Sequence, residues 1–391
     1  AGITLPDTPM QTNNGVPPNI WFILDDSGSM AWRYMYNPTI TSLVRENGTV
    51  VATRTGNNTG TDSTYGSNST NLLAMYDQNY ITNTLYYNPN QTYRGWQRAD
   101  GTYMPDDTYD SVSTSNTDLS GTLNLNGAVQ TFYVPPTTGA LNDARLYTRY
   151  TFETNGTVQR CTWNSLAGNF TPTVAPAAPN CTLVTSFSWP SGVTRTSIDA
   201  EKANFANWYT YHRTRTKVAK AGVSYAFNDT SIFNADNAYR VGFTTIWQRN
   251  EFRIPVGTDN GLFRNTNRTT WFDRLFGATA SNGTPLKAAL IRAGQYYEES
   301  GTGSPWGPQA TASQYECRQN FTILTTDGFW NTTNQAPVAG MGNSDGSNGT
   351  AISRPDGPPY TYTAGAPFSD AWDNTLADVA MHYWKRDLRT D

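Results

Sequence analysis

The side chains best suited to chemistry lie in three short segments: Asp25-Asp26-Ser27-Gly28-Ser29, Gly283-Thr284-Pro285-Leu286 and Asp327-Gly328. Their carboxylates and hydroxyls offer only oxygen ligands, which favours Mg²⁺, Mn²⁺ or Ca²⁺ over zinc or copper. A site made mostly of neutral hydroxyls leaves such a cation short of negative charge. The cation can therefore still accept a carboxylate from outside the chain, and we expect binding chemistry rather than catalysis.

Alternating strands and helices are expected to position these segments. A continuous apolar run predicts a strand at residues 20–24, and strands are also predicted at 239–247 and 321–326. Helical patterns appear at 198–227, 270–276, 286–299 and 374–385. This alternation predicts an α/β fold with a doubly wound, mainly parallel sheet flanked by helices. The carboxyl ends of parallel strands share one edge. The first and third segments should therefore lie side by side, with the Thr284 loop within reach.

Residues 32–195 interrupt this alternation. Stretches of Asn, Thr, Gly and Ser separate short aromatic pieces, and two-residue alternation recurs at 127–134 and 145–153. We predict a large β-rich, loop-heavy insertion after the first strand. Residues 1–31 would then supply the N-terminal segment, first strand and metal loop, and residues 196–391 the remainder of the main domain. The aromatic residues of the insertion could bind glycans or partners, but a small local core is favoured.

The long predicted helix carries four charged residues, Arg213, Arg215, Lys217 and Lys220. They fall near or off the apolar stripe of the 198–227 helix. We interpret them as a solvent-exposed helix face rather than as a binding patch.

Composition excludes several classes of function. The net charge is -4 and the isoelectric point about 5.3, which argues against a nucleic-acid partner. No apolar run approaches the length of a bilayer span, so we expect no transmembrane segment. The chain has only two histidines and no P-loop, so we do not expect an enzyme. The carboxylate pair Asp106-Asp107 could serve a glycosidase, but it lies in a polar loop without a predicted pocket, so this activity is unsupported.

The cysteines and the N-terminus indicate an exported protein. Cys161 and Cys181 flank a Pro/Ala-rich stretch and are predicted to form a disulfide in an oxidising compartment. Cys317 precedes a strand and is expected to be a buried free thiol rather than half of a pair with another partner. The start at Ala1 lacks both an initiator Met and a leader. This is typical of a mature end left by signal peptidase, although an artificial boundary would look the same.

The three oxygen-rich segments together carry a family resemblance. Asp25-Asp26-Ser27-Gly28-Ser29 resembles the D-x-S-x-S motif of von Willebrand factor A domains, and the Thr284 loop and residues 323–328 resemble their second and third motifs. The resemblance implies a von Willebrand factor A-type fold with a metal-ion-dependent adhesion site and Mg²⁺ as the expected ion. Asp26 is at the variable position and is expected to face solvent or to support a ligand. The implied metal ligands, some acting through water, are Asp25, Ser27, Ser29, Thr284 and Asp327.

Further segments are similar to the N-terminal region of the PilC/PilY family of type IV pilus tip proteins. They include residues 18–20, Tyr86-Tyr87-Asn88-Pro89, Asn204-Phe205-Ala206-Asn207-Trp208-Tyr209, residues 317–321 and residues 376–380. The resemblance implies export through the periplasm to the cell surface, minor pilins as partners, and roles in pilus assembly, adhesion and surface sensing. Family members continue into a C-terminal β-propeller. This chain stops at Asp391, so we expect it to lack that half.

The sequence leaves three hypotheses for the function of the chain. In the first, the chain is a pilus-tip adhesin that binds a carboxylate of a host or surface ligand through its metal. In the second, it is a mechanical module that primes the pilus through minor pilins, and the metal only stabilises the fold. In the third, it is a cytosolic A domain of a chelatase or ATPase complex. The predicted mature N-terminus, the low charge content and the predicted disulfide speak against the third hypothesis.

Overall fold

A computed structural model describes most of the chain. The residues it describes are 16–40, 42–44, 50–53, 72–190, 192–233, 238–307, 314–315, 318–328, 330–331, 341–354 and 357–389. Cys317 lies outside these residues, so its predicted free thiol stays a prediction. The chain divides into two compact units. The first comprises Ala1–Met30, Arg98–Gly101 and Ser224–Asp391, and the second comprises Ala31–Gln97 and Thr102–Val223.

A parallel sheet of three strands organises the described part of the first unit. Strand β1 (Asn19–Leu24) lies between two strands that are distant in sequence, β8 (Arg240–Thr245) and β9 (Asn320–Thr325). Each predicted strand is therefore present within one or two residues of its expected limits. The strands β10 (Ile352–Arg354) and β11 (Gly357–Tyr360) form a separate antiparallel pair. Parallel strands and helices give the mixed α/β class that the sequence predicts.

Both faces of β1 are covered, which explains why its sequence is apolar without alternation. Trp21 and Ile23 pack with α5 (Leu286–Glu298), and the Trp21 ring centroid lies 4.4 Å from that of Tyr296. Phe22 points to the other face, where its ring lies 5.8 Å from Trp271 of α4 (Asn265–Phe276). The last helix, α6 (Leu376–Trp384), packs against α5.

The second unit is rich in short strands and loops. A four-stranded antiparallel sheet is formed by β4 (Gln130–Val134), β5 (Thr148–Phe152), β6 (Val158–Cys161) and β7 (Cys181–Leu183). Two further strands, β2 (Ser42–Val44) and β3 (Val50–Thr53), pair with each other, and α1 is Leu72–Asp77. The unit extends to Val223, whereas the predicted insertion ends at residue 195, and the predicted domain limits stay a prediction.

Helix α2 (Ile198–Tyr211) orders the loops of the second unit through two asparagines. Asn204 accepts from the backbone N–H of Tyr93 (2.8 Å) and donates to the carbonyl of Gln91 (3.0 Å). Asn207 accepts from the N–H of Asp107 (2.8 Å) and donates to the carbonyl of Tyr93 (3.1 Å). Loop backbone groups that no sheet satisfies thus find partners on the helix.

The aromatic residues of the second unit form a core, as the sequence analysis favours. Tyr86, Tyr87 and Trp96 are all at least nine-tenths buried. Tyr87 packs edge-on against Phe132 of β4, with 5.1 Å between ring centroids, and also contacts Phe205 of α2. Helix and sheet therefore share one aromatic cluster.

The predicted single helix over 198–227 is wrong in one respect, because the chain breaks it into α2 and α3 (Arg215–Ala226). Thr214 begins the second helix: its hydroxyl accepts from the N–H of Lys217 (3.3 Å) and donates to the carbonyl of Asn116 (2.7 Å). A hydroxyl in this position satisfies a backbone donor that the first helical turn leaves free.

The interpretation of the charged residues as a solvent-exposed face is wrong for three of the four. Arg213, Lys217 and Lys220 are each at most 1% exposed. Arg213 donates to backbone carbonyls in the loop 113–115, and Lys220 donates to the carbonyl of Thr117. The Nζ of Lys217 has no hydrogen-bond partner among the described residues. This loop supplies oxygen acceptors that the helix pattern alone does not reveal.

Replacing Gly242 tests the packing of the sheet. A Cβ at this position would lie 2.4 Å from a ring carbon of Trp21, so Gly242→Ala forces β1 and β8 to shift. We expect the free energy of unfolding to fall by about 1–3 kcal/mol in urea titrations followed by circular dichroism. Gly222 of α3 has open space around its Cβ position, and Gly222→Ala should be neutral or slightly stabilising. A wild-type midpoint for Gly242→Ala would contradict the packing described here.

Lys217 should make stability depend on pH. Burial, followed by repulsion from Arg213, Lys220 and Arg33, lowers its pKa from 10.5 to about 5. Between these values the unfolded chain binds a proton that the folded chain does not, so stability falls as the pH falls through this window. Lys217→Met should raise stability at pH 7 and remove a slope of about 1.4 kcal/mol per pH unit.

Urea titrations at several pH values between about 6 and 9 would measure this slope. Lys202 of α2 is only partly buried, and Lys202→Met serves as the matched control with an unchanged slope. Identical pH profiles for wild type and Lys217→Met would contradict the prediction.

Candidate metal centre

The three parallel strands of the first unit end at the same level. In the sheet register, Leu24 lies opposite Thr245 on one side and Thr325 on the other. The next residues continue this pairing, because Asp25 N donates to the Thr325 carbonyl (3.1 Å) and Ile246 N donates to the Leu24 carbonyl (3.0 Å). The segments after β1, β8 and β9 therefore leave the sheet from one edge.

Asp25 is fixed at this edge through both carboxylate oxygens. Its side chain is buried, and its Oδ1 accepts from the N–H of Ser27 at 2.8 Å. Its Oδ2 accepts from the hydroxyl of Thr326 at 2.7 Å. One oxygen thus shapes the turn of the metal loop, and the other ties that loop to the end of β9.

Hydrogen bonds connect four of the five predicted ligands. The hydroxyl oxygens of Ser27 and Ser29 lie 3.1 Å apart, and the Ser29 hydroxyl donates to Oδ1 of Asp327 at 3.1 Å. Asp25 joins the set through the N–H of Ser27. The first and third segments, which are about 300 residues apart in sequence, are therefore neighbours, as the strand-edge argument predicts.

Thr284 lies on an adjoining loop that is bonded to the metal loop. Gly28 N donates to the Asn282 carbonyl (2.8 Å), and Ser281 N donates to the Asp26 carbonyl (2.7 Å). Thr284 itself is buried, and its N–H donates to the side-chain oxygen of Asn331 at 2.6 Å. The loop that carries the fifth predicted ligand is thus held beside the other four.

Asp26 does not face solvent, contrary to one of the two roles expected for it. Its carboxylate is 1% exposed and accepts from Trp247 N (3.2 Å) and from Arg249 Nη1 (3.3 Å). Burial raises the pKa of Asp26 to about 6, and hydrogen bonding by Thr245 and the charge of Arg249 only partly oppose the rise. The side chain therefore joins the metal loop to the segment after β8.

Three supporting residues belong to no recognised motif and are not predicted from the sequence. Trp247 Nε1 donates to the Gly283 carbonyl (2.7 Å), and Arg249 donates to the Ser281 hydroxyl (2.7 Å). Asn331, the partner of Thr284, is the third. Trp247 and Arg249 directly follow β8, so the rule that ligands gather at the carboxyl ends of strands was the available signal.

The donor set fits a hard divalent cation. Neighbouring ligands of an octahedral Mg²⁺ at about 2.1 Å from the ion stand about 3 Å apart. The spacings of 3.1 Å from Ser29 to Ser27 and to Asp327 agree with this geometry. Among the described residues, those of the candidate site included, no group of three or more His, Cys, Asp or Glu side chains could hold a metal. The candidate site instead combines two carboxylates with hydroxyls.

Cys161 and Cys181 form a disulfide in the second unit, with 4.1 Å between their Cα atoms. They are direct cross-strand partners in the antiparallel pairing of β6 and β7. The bond closes the Pro/Ala-rich loop between these strands.

Comparison with known proteins finds three relatives that carry the same name. The chain is 30% identical over its whole length to the type IV pilus biogenesis factor PilY1 of Pseudomonas aeruginosa strain PAK. It is 26% identical to PilY1 of strain PAO1, again over its whole length, and 27% identical over 97% of its length to PilY1 of strain UCBPP-PA14. The chain belongs to the PilY1 family. The predicted PilC/PilY membership is thereby confirmed.

The chain corresponds to only part of its PilY1 relatives, since it spans about 30% of their length. No protein-family model matches the chain, and no solved structure matches it. Among the described residues of this PilY1 family member, no helix combines the length and apolar character needed to cross a membrane.

The contacts of Asp26 predict how this PilY1 family member would respond to its loss. Asp26→Ala removes the acceptor for Trp247 N and for Arg249, so the Thr284 loop should loosen against the metal loop. Residues that support metal ligands from behind typically contribute 10–100-fold to metal affinity. We expect a loss of that size in calorimetric titration with Mg²⁺ or Mn²⁺. Asp273, an exposed acid on α4, supplies the control Asp273→Ala, and equal affinity of both variants would contradict this role.

Proposed function

We propose that this chain is the surface-attachment region of a type IV pilus biogenesis factor. It would adopt a von Willebrand factor A-type fold in which residues 32–195 are a large insertion. It would hold a divalent cation, Mg²⁺ first and Mn²⁺ or Ca²⁺ as alternatives, on Asp25, Ser27, Ser29, Thr284 and Asp327. A host or surface ligand would bind through one of its own carboxylates.

The observation that carries this proposal is the connected donor set at the sheet edge. Asp25 and Asp327 supply two negative charges, and the hydroxyls of Ser27 and Ser29 add none while bonding to each other and to Asp327. A bound divalent ion supplies a Lewis-acid position for an external carboxylate. Burial of Asp25 limits competition from water, and the hydrogen bond from Thr326 keeps its carboxylate from rotating away.

The pilus setting is proposed from the family. The relatives are named type IV pilus biogenesis factors. In that setting the chain would be exported, pass through the periplasm and act at the pilus tip on the cell surface, with minor pilins as partners. Its roles would be pilus assembly, attachment and surface sensing, with consequences for twitching motility and virulence. The disulfide in the second unit supports an oxidising compartment.

A second candidate is a mechanical module that primes the pilus by binding minor pilins. One observation favours it: the metal loop, β9 and the Thr284 loop are already joined by hydrogen bonds within the protein. A bound ion would then only stabilise this network. In neither candidate is the chain an enzyme.

Replacing Asp25 separates adhesion from the mechanical role. Asp25→Ala removes one of the two charges, and we expect it to abolish divalent-dependent binding of surface ligands while the circular dichroism spectrum is retained. Pulldown of host-surface ligands with Mg²⁺ and with chelator measures the effect. Unchanged ligand binding in the variant, or in chelator, would exclude the metal-mediated proposal.

The same samples test the mechanical alternative. Minor pilins that remain bound to Asp25→Ala and in chelator, while surface ligands are not captured by wild type under any condition, would favour pilus priming. Surface ligands captured only with Mg²⁺ would favour adhesion. Asp273→Ala is again the matched acidic control, because its side chain is exposed on α4.

A further inference from the structure

A small cavity lies within the second unit, bordered by α2 and β4, with a volume of about 150 Å³. Tyr86, Phe205 and Trp208 give it an apolar aromatic wall, and each of these side chains is at most 6% exposed. The predicted metal ligands belong to the first unit, so this cavity is a separate feature of the chain.

Gln78 provides a buried polar group on the cavity wall. The residue is 6% exposed, and its Oε1 has no hydrogen-bond partner among the described residues. Its backbone is held in place, because its N–H donates to the Ala74 carbonyl and its carbonyl accepts from Tyr133 N (2.9 Å). Buried polar atoms are nearly always satisfied in folded proteins, so this oxygen calls for a donor within the cavity.

Two guanidinium groups make the cavity electropositive. Arg213 and Arg33 both line it, and their guanidinium carbons lie 4.1 Å and 5.9 Å from the ring centroid of Tyr209. Arg213 is 1% exposed and is fixed by several backbone carbonyls. An anionic group would be attracted to this wall.

The residues that line the cavity restrict the kind of ligand that it can bind. A carboxylate suits the guanidinium groups, whereas an ammonium group is disfavoured beside them, so the donor to Gln78 must be uncharged. A hydroxyl meets this condition, and the C–H face of a ring meets the aromatic wall. Inorganic phosphate or sulfate lacks that apolar face. The volume is small, and one hexose-sized ring fills it.

We infer that this cavity binds a single pyranose ring that carries a carboxylate, as in a hexuronic acid. The carboxylate faces Arg33 and Arg213, a ring hydroxyl donates to Gln78, and the ring packs against Trp208 and its aromatic neighbours. This binding does not depend on the metal site or on the proposed function.

Saturation-transfer NMR with the full chain tests the inference, with D-glucuronate and D-galacturonate as probes. D-glucose and D-galactose are the matched neutral sugars. We expect at least one uronate to bind about ten-fold or more tightly than its neutral partner, the effect of one charge-assisted hydrogen bond. Chelator and Asp25→Ala should leave this binding unchanged. Failure of both uronates to bind, equal binding of the neutral sugars, or loss of binding in chelator would overturn the inference.

Gln78→Leu separates recognition from folding. Removing a buried acceptor that lacks a partner should leave the thermal midpoint unchanged or raise it, while uronate binding weakens about ten-fold or more. Gln159 of β6 does not line the cavity, so Gln159→Leu is the matched control and should bind normally.

Two further results would overturn the inference. One is wild-type binding of the uronate by Gln78→Leu. The other is N-acetyl-L-alanine binding as tightly as the uronate, because that compound offers a carboxylate and an amide donor without a sugar ring.

Discussion

The parallel register of three strands is the constraint on which the candidate site depends. Leu24 is level with both Thr245 and Thr325, so three segments start from the same edge of the sheet. That register is itself fixed by packing, because β1 is buried on both faces by α4 and α5. A slip of one residue would turn Trp21 and Phe22 to the wrong faces and move Asp25 away from Thr326.

In the second unit, many loop backbone groups lie outside any sheet and need hydrogen-bond partners from elsewhere. Helix α2 supplies the missing partners from its polar positions, whereas Phe205 and Trp208 enter the aromatic core. Glu201 of this helix is fully buried and accepts from Tyr87, Trp189 and Arg195. The asparagine side chains of this helix therefore hold the loops, while its aromatic side chains pack in the core. This double role explains why the segment Asn204-Phe205-Ala206-Asn207-Trp208-Tyr209 is distinctive in sequence.

Patterns that depend on near neighbours in the chain could be predicted from sequence. The apolar run of β1 and the mixed apolar and Thr-rich segments of β8 and β9 identify strands, and the oxygen-rich turns after β1 and β9 identify the candidate ligands. Features that depend on distant partners could not be predicted. The burial of Arg213 and Lys220 depends on carbonyl groups about 100 residues earlier in the chain. Trp247 binds a backbone carbonyl of the Thr284 loop, and Asn331 binds a backbone N–H of that loop. Every residue has these backbone groups, so the sequence does not show which of them will be bound.

The long sequence separation within the candidate metal centre has a consequence for biosynthesis. Ser29 bonds to Asp327 across 298 residues, and Asp25 bonds to Thr326 across 301. Contacts of this separation close late, because the intervening chain must be ordered first. A chain emerging N-terminus first carries its D-x-S-x-S segment without these partners until Asp327, 298 residues after Ser29, has also emerged. The connected donor set would thus form only after Asp327 has reached the sheet edge, so it would follow the ordering of the sheet and would not nucleate it.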